Sequence, residues 1–200
     1  MAPGARIIDC WTVHLNMMLG PSPQYLLANP TVALHFVYTG AGPAGLDIQR
    51  LHSQFQWTVS ARLWRARLQP TTTCILIPVN FRNAHWTLLV VDTVKCKIEY
   101  WDSLYRGSKW PAEIPLCYLT SFVSVLLNEA PRQWLFKVKQ VPQQTGTNCG
   151  VFVMEFMRAI VNGKRSKVSL CEEVKEDKMA SCRVLIVHEI QQMQRNAPKK

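Results

Sequence analysis

Two hundred residues, 48% of them apolar and 18% charged, suit one soluble globular domain spanning residues 1–200 with a full hydrophobic core. The net charge of +10 favours acidic partners, either a nucleic acid or an acidic protein face, without choosing between them. Seven cysteines with no C-x-x-C pair argue against a disulfide framework and a zinc site and for a reducing, intracellular setting; no signal or transit peptide is expected, and no apolar run reaches the roughly 18 residues of a membrane span.

Ile7, Trp11, Leu15, Met18 and Leu19 recur at helical spacing, and Gly20-Pro21-Ser22-Pro23 ends the pattern, which predicts an N-terminal helix. A second helical piece is expected over residues 25–36, and Gly40 to Gly45 reads as the clearest loop. Asp47 is placed to cap a helix carrying Ile48, Leu51 and Phe55, with a further amphipathic turn around Val59, Leu63 and Trp64. Arg62, Arg65 and Arg67 alternate with Leu63, Trp64 and Leu68, and a solvated basic face beside a buried stripe is the plainer reading than a recognition surface. From Cys74 onward the texture is that of strands, expected at 74–79, 86–92, 97–101 and 135–141. Helices are predicted over 116–127, over 151–162 with Gly163 as C-terminal stop, and over 169–193, where Ser169 and Glu172 form a capping-box pattern. This is an α+β chain, one central mixed sheet flanked by helices.

Chemistry concentrates around Val141-Pro142-Gln143-Gln144-Thr145-Gly146-Thr147-Asn148-Cys149-Gly150, which sets a cysteine at the start of an apolar helical run. A helix's first turn offers unpaired N–H groups and the positive end of its dipole, so a thiol there is more acidic and more nucleophilic. Upstream, His85 opens a strand and Asp102 follows another: His85 is the candidate base for Cys149, and Asp102 the group that fixes its tautomer and stabilises its cation. Gln143, six residues before the cysteine, is the candidate side-chain donor to an oxyanion, with Gln144 as fallback and the Cys149 N–H as second donor. Gly150 permits close approach of a substrate carbonyl. The other six cysteines read as packing residues, and His14, His35, His52 and His188 as ordinary polar positions.

His85-Trp86 with Leu88-Leu89-Val90-Val91-Asp92, Trp101-Asp102-Ser103-Leu104, and Pro142-Gln143-Gln144 through Cys149-Gly150 together resemble the catalytic core of the Ulp/SENP cysteine proteases, which remove SUMO and related ubiquitin-like proteins. The order His, Asp, Gln, Cys and the seventeen-residue step from His85 to Asp102 are the family's. The resemblance implies a papain-like cysteine protease fold and a SUMO or Nedd8 protease that needs no metal or organic cofactor. It also implies a nuclear or cytoplasmic setting and a Trp86 that covers a narrow tunnel for the Gly-Gly end of the substrate. Ile7-Ile8-Asp9 resembles a family segment whose Asp contacts the substrate tail, and Asp92 is a weaker candidate. Asn148 departs from the family's usual pattern, which has Asp before the nucleophile. Two other classes fit the same residues: a non-catalytic module that binds a ubiquitin-like protein, and a virus-, mobile-element- or effector-type processing protease. An acetyltransferase built on the triad is disfavoured because nothing suggests a coenzyme A pocket.

Overall fold

A computed structural model describes residues 3–19, 24–28, 68, 70–81, 84–111, 116–127, 132–166, 170–172 and 174–196. The elements in chain order are α1 (Pro3–Met18), β1 (Tyr25–Leu27), β2 (Cys74–Phe81), β3 (His85–Asp92), β4 (Lys97–Trp101), α2 (Leu116–Leu127), β5 (Leu135–Lys139), α3 (Cys149–Val161), a 3-10 turn (Glu176–Lys178) and α4 (Met179–Asn196). The strands form one five-stranded mixed sheet in sequence order, parallel at β1–β2 and β4–β5 and antiparallel between.

Alternation along the strands separates two cores, because successive side chains leave a strand on opposite faces. Leu76, Leu88, Val90 and Trp101 face Phe152, Phe156 and Ile160 of α3 together with Trp11 of α1 and Ile186 of α4. Ile75, Ile77, Leu89, Val91, Ile98 and Tyr100 face Leu119, Phe122 and Val123 of α2. Covered on both sides, β3 is buried at every position from Trp86 to Asp92, which is why it reads as a nearly continuous apolar run. Trp101 meets Phe156 edge to face, with ring centroids 5.7 Å apart, and this contact seats α3 across β3 and β4. Among the described residues β1 pairs with β2 only from Cys74 to Leu76, and Pro78 stands beyond that stretch.

Three expectations change. Residues 25–27 form a strand rather than the start of a helix, since pairing with β2 supplies the hydrogen bonds that three residues cannot make alone. The buried stripe of α1 is Ile8, Trp11 and Leu15, while Ile7 and Met18 are exposed. The C-terminal helical region contains a 3-10 turn, and α4 starts only at Met179. Gly163 has φ +77°, the left-handed conformation of a residue that ends a helix, as expected for the stop of α3. The loop at Gly40 to Gly45, the helices around Asp47 and Val59, the arginines 62, 65 and 67, His35, His52 and the Ser169 cap lie outside the described residues.

Candidate active site

The register of β3 and β4 builds half of the site. Leu88 opposite Trp101 is the last pair of their ladder, so β3 continues past it for three residues, to His85, while the chain leaving β4 passes alongside. This brings His85 to a residue seventeen positions later: its Nε2 lies 2.8 Å from Oδ1 of Asp102. Asp102 is buried but fully partnered, Oδ1 also accepting from the N–H groups of Leu104 (2.7 Å) and Tyr105 (3.3 Å) and Oδ2 from the Tyr100 hydroxyl (2.6 Å). Burial pushes the Asp102 pKa up, but the bonds from His85, Tyr100 and Leu104 outweigh it and hold the group below the usual carboxylate range.

The other half is the N-terminus of α3. Cys149 is its first residue, and the first hydrogen bond of the helix runs from Phe152 N–H to Asn148 C=O, so the N–H groups before Phe152 have no acceptor within the helix. Burial raises the Cys149 pKa; interaction with the His85 ring and the N–H groups of Trp86 and Gly150 brings it below the ordinary thiol value. For His85, burial acts downward and is overcome by the bond to Asp102 and by interaction with the Cys149 sulfur, so its pKa rises to about 9. With Nε2 engaged by Asp102, Nδ1 is buried without a close-geometry hydrogen bond and is the nitrogen left to exchange a proton with the sulfur. The two shifts favour a thiolate beside an imidazolium. By contrast Cys74, inside the sheet, is pushed up to about 12, first by burial, and Cys182 also rises by burial. Those two are packing residues as expected, whereas Cys171 is exposed.

The glutamines sit between the two halves. Gln144 is tied to the Asp102 loop by its N–H on the Ser103 carbonyl at 2.9 Å. Gln143 directs Nε2 at two backbone carbonyls, Val141 at 3.0 Å and Asp102 at 3.3 Å, and its Oε1 is buried without a partner. Gln144 is buried, 4% exposed, with Oε1 likewise unpartnered.

Beside Cys149 opens a cavity of about 340 Å³, walled by Ile8, Trp86, Gly150, Met154, Arg183 and Ile186 among others. A Cβ built on Gly150 would stand 3.6 Å from the Trp86 ring and 3.7 Å from the Ile8 methyl, an ordinary contact distance that defines the gap between those walls. Asp9 lies in α1, with its side chain outside the described residues. Asp92 takes the Lys95 N–H at 2.9 Å at the far end of β3, where it shapes the turn into β4. Among the described residues no group of three or more His, Cys, Asp or Glu is disposed to hold a metal ion, and no helix is long and apolar enough to cross a membrane.

A profile of the Ulp1 protease family, C-terminal catalytic domain, matches residues 50–196. The chain belongs to that family. Sentrin-specific protease 2 of Homo sapiens is 29% identical over 115 residues, 54% of this chain and 18% of that protein, and the Mus musculus protein matches to the same extent. The chain thus spans under a fifth of the length of these curated relatives. Among solved structures, the C-terminal Ulp1 protease domain in complex with Smt3, the yeast orthologue of SUMO, is 21% identical with a TM-score of 0.67, covering 94% of this chain and 78% of that one. SUMO protease Ulp1 with its catalytic cysteine oxidised to a sulfenic acid is 20% identical with a TM-score of 0.68, covering 92% and 74%. The α+β fold is therefore that of Ulp1 protease domains, and the family is one of cysteine peptidases.

Sequence reasoning missed several groups around this candidate site. The Tyr100 hydroxyl on Asp102 was open to inference, since residues two apart on a strand share a face. The cavity walls from α4, Arg183 and Ile186, carried no signal, because only the tertiary fold brings that helix to Cys149.

Proposed function

We propose that this chain is a cysteine isopeptidase that cleaves after the C-terminal Gly-Gly of SUMO or a related ubiquitin-like protein, Nedd8 included. His85 takes the Cys149 proton, the thiolate attacks the glycine carbonyl, and the tetrahedral oxyanion is held by the Cys149 N–H and a glutamine amide. His85 then protonates the departing lysine amine, leaving a thioester on Cys149. Water deprotonated by His85 releases the modifier and frees the thiol. No metal or organic cofactor enters these steps. The observation that carries the reading is the convergence of a hydrogen-bonded His85–Asp102 pair on a cysteine of lowered pKa at a helix N-terminus.

Of the two glutamines, Gln143 has its N–H groups directed at the Val141 and Asp102 carbonyls and must release one to reach an oxyanion. The donor role is therefore assigned to Gln144, with Gln143 bracing the Asp102 main chain. The cavity between Trp86 and Ile8 supports an extended tail without side chains, for which Trp86 and Gly150 form the walls. Asp9 is proposed to contact the substrate tail. A net charge of +10 suits an acidic partner face, and the nucleus or cytoplasm is the proposed location. The test is reaction with a panel of ubiquitin-like proteins carrying a C-terminal electrophile, read as a mass shift. A single-modifier adduct that disappears in Cys149→Ala is the expected result; no adduct from folded protein would sink the proposal.

A further inference from the structure

Asn148, directly before the nucleophile, is the N-cap of α3, and its side chain makes no capping bond. An asparagine there normally turns back to accept an N–H from the first turn. Here both ends of the amide are engaged elsewhere. Nδ2 donates to Glu176 Oε1 at 2.6 Å, and Oδ1 accepts from the Arg183 guanidinium at 2.5 Å. The neighbouring main chain is tied to the same two residues, Arg183 reaching the Thr147 carbonyl at 3.4 Å and the Thr145 N–H pointing at Glu176 Oε2 at 3.4 Å. Residues 145–148, the whole connection from the glutamines to Cys149, are therefore held by the 3-10 turn and α4.

We propose that Asn148, Glu176 and Arg183 are positioning residues for the nucleophile, clamping its loop and keeping the Asn148 side chain off the α3 N-terminus so that the first-turn N–H groups serve Cys149. This rests on the reading of Cys149 as nucleophile. An Asn148 side chain turned inward would place its oxygen on the same N–H groups that stabilise the thiolate and the oxyanion. The lowered Cys149 pKa, to which the Gly150 N–H contributes, accords with those groups being free. Among the described residues, the charged groups facing the loop include His85 from β3, Glu176 from the 3-10 turn and Arg183 from α4.

The two bonds also account for an amide rather than a carboxylate at this position. One end donates to an anion and the other accepts from a cation, and an ionised carboxylate, which only accepts, cannot do both. A carboxylate at 148 would keep Arg183 but oppose Glu176. Asn148→Asp, which introduces the family's own residue, is thus expected to harm this chain, and adding Glu176→Gln is expected to repair it. The pair of changes keeps the net charge and reverses the direction of one hydrogen bond.

The test measures Cys149 alkylation by iodoacetamide against pH, with kcat/KM and Tm on the same variants. In the wild type a fast phase titrates below the ordinary thiol range and vanishes in Cys149→Ala; a fast phase that survived would refute the nucleophile assignment itself, not the clamp. Arg183→Ala and Asn148→Asp are expected to move the titration midpoint upward and lower kcat/KM about five- to tenfold, the scale of a lost helix-terminal interaction. The Asn148→Asp/Glu176→Gln pair is expected to recover most of what Asn148→Asp loses in both readouts. Unmoved midpoints in both single variants, or a double variant no better than Asn148→Asp, would overturn the clamp.

Discussion

The Nε2 of His85 lies 2.8 Å from Oδ1 of Asp102, an oxygen that also takes the Leu104 and Tyr105 N–H groups. The carboxylate cannot turn away without abandoning main-chain donors, so the loop after β4 fixes the imidazole plane. That constraint sets His85 apart from a histidine free to turn at a strand edge.

Asp102→Asn tests it. The amide keeps the shape but loses the charge that raises the His85 pKa. The expected result is a fall in kcat/KM of about 10²- to 10⁴-fold, the usual contribution of a positioned acid–base group. The alkaline edge of the pH–rate profile should also move to lower pH. An unaltered profile would mean that Asp102 does not tune His85.

The wild-type profile follows from the directions of the two shifts. Cys149 has a lowered pKa, so the thiolate is lost only as pH falls through that lowered value. His85 has a raised pKa, so the imidazolium persists at neutrality and is lost as pH rises through about 9. A bell is expected for kcat/KM, its acid limb below the ordinary thiol range and its alkaline limb near pH 9, each belonging to the coupled pair rather than to one residue. An acid limb at the ordinary thiol pKa would contradict the thiolate–imidazolium ground state.

The two glutamines are separable. Removing one oxyanion donor costs about 10²- to 10³-fold in kcat, and Gln144→Ala is expected to show that loss with KM and Tm little changed. Gln143→Ala removes the bonds to the Val141 and Asp102 carbonyls and should act mainly by lowering Tm. Steady-state kinetics and thermal melts on both variants decide; the reverse pattern would return the donor role to Gln143, the residue favoured by counting back from Cys149.

Legibility in the sequence followed the range of the interactions. The strands β2, β3 and β4 were readable because short apolar runs rich in β-branched residues are a local signal, and the helix at Leu116–Leu127 because its apolar spacing is. His85 and Asp102 were readable because an antiparallel pair converts a fixed spacing into a contact. Tyr25–Leu27 was misread because three apolar residues carry no period, and their state is decided by β2, almost fifty positions away. The buried face of α1 was misjudged because helical spacing alone admits both Ile7 and Ile8, and packing against α3 and α4 chooses Ile8. Glu176 and Arg183 were invisible for the same reason, lying 28 and 35 positions from Asn148.

Gly150 offers the most direct probe of the cavity. A methyl group there would sit 3.6 Å from Trp86 and 3.7 Å from Ile8, close enough to occupy the gap and too far to clash, so Gly150→Ala should fold with a Tm near wild type. A tail threading between those walls would meet the added methyl, and one methyl group of misfit in a pocket costs ~1–3 kcal/mol, or about 10- to 200-fold in kcat/KM. Alkylation of Cys149 by a small reagent approaches from solvent and should be nearly unaffected. The expected signature is therefore a protein whose thiol reacts normally with iodoacetamide but poorly with a ubiquitin-like substrate. Equal loss toward both reagents would trace the defect to the α3 N-terminus, and no loss toward either would show that the tail takes another route to the sulfur.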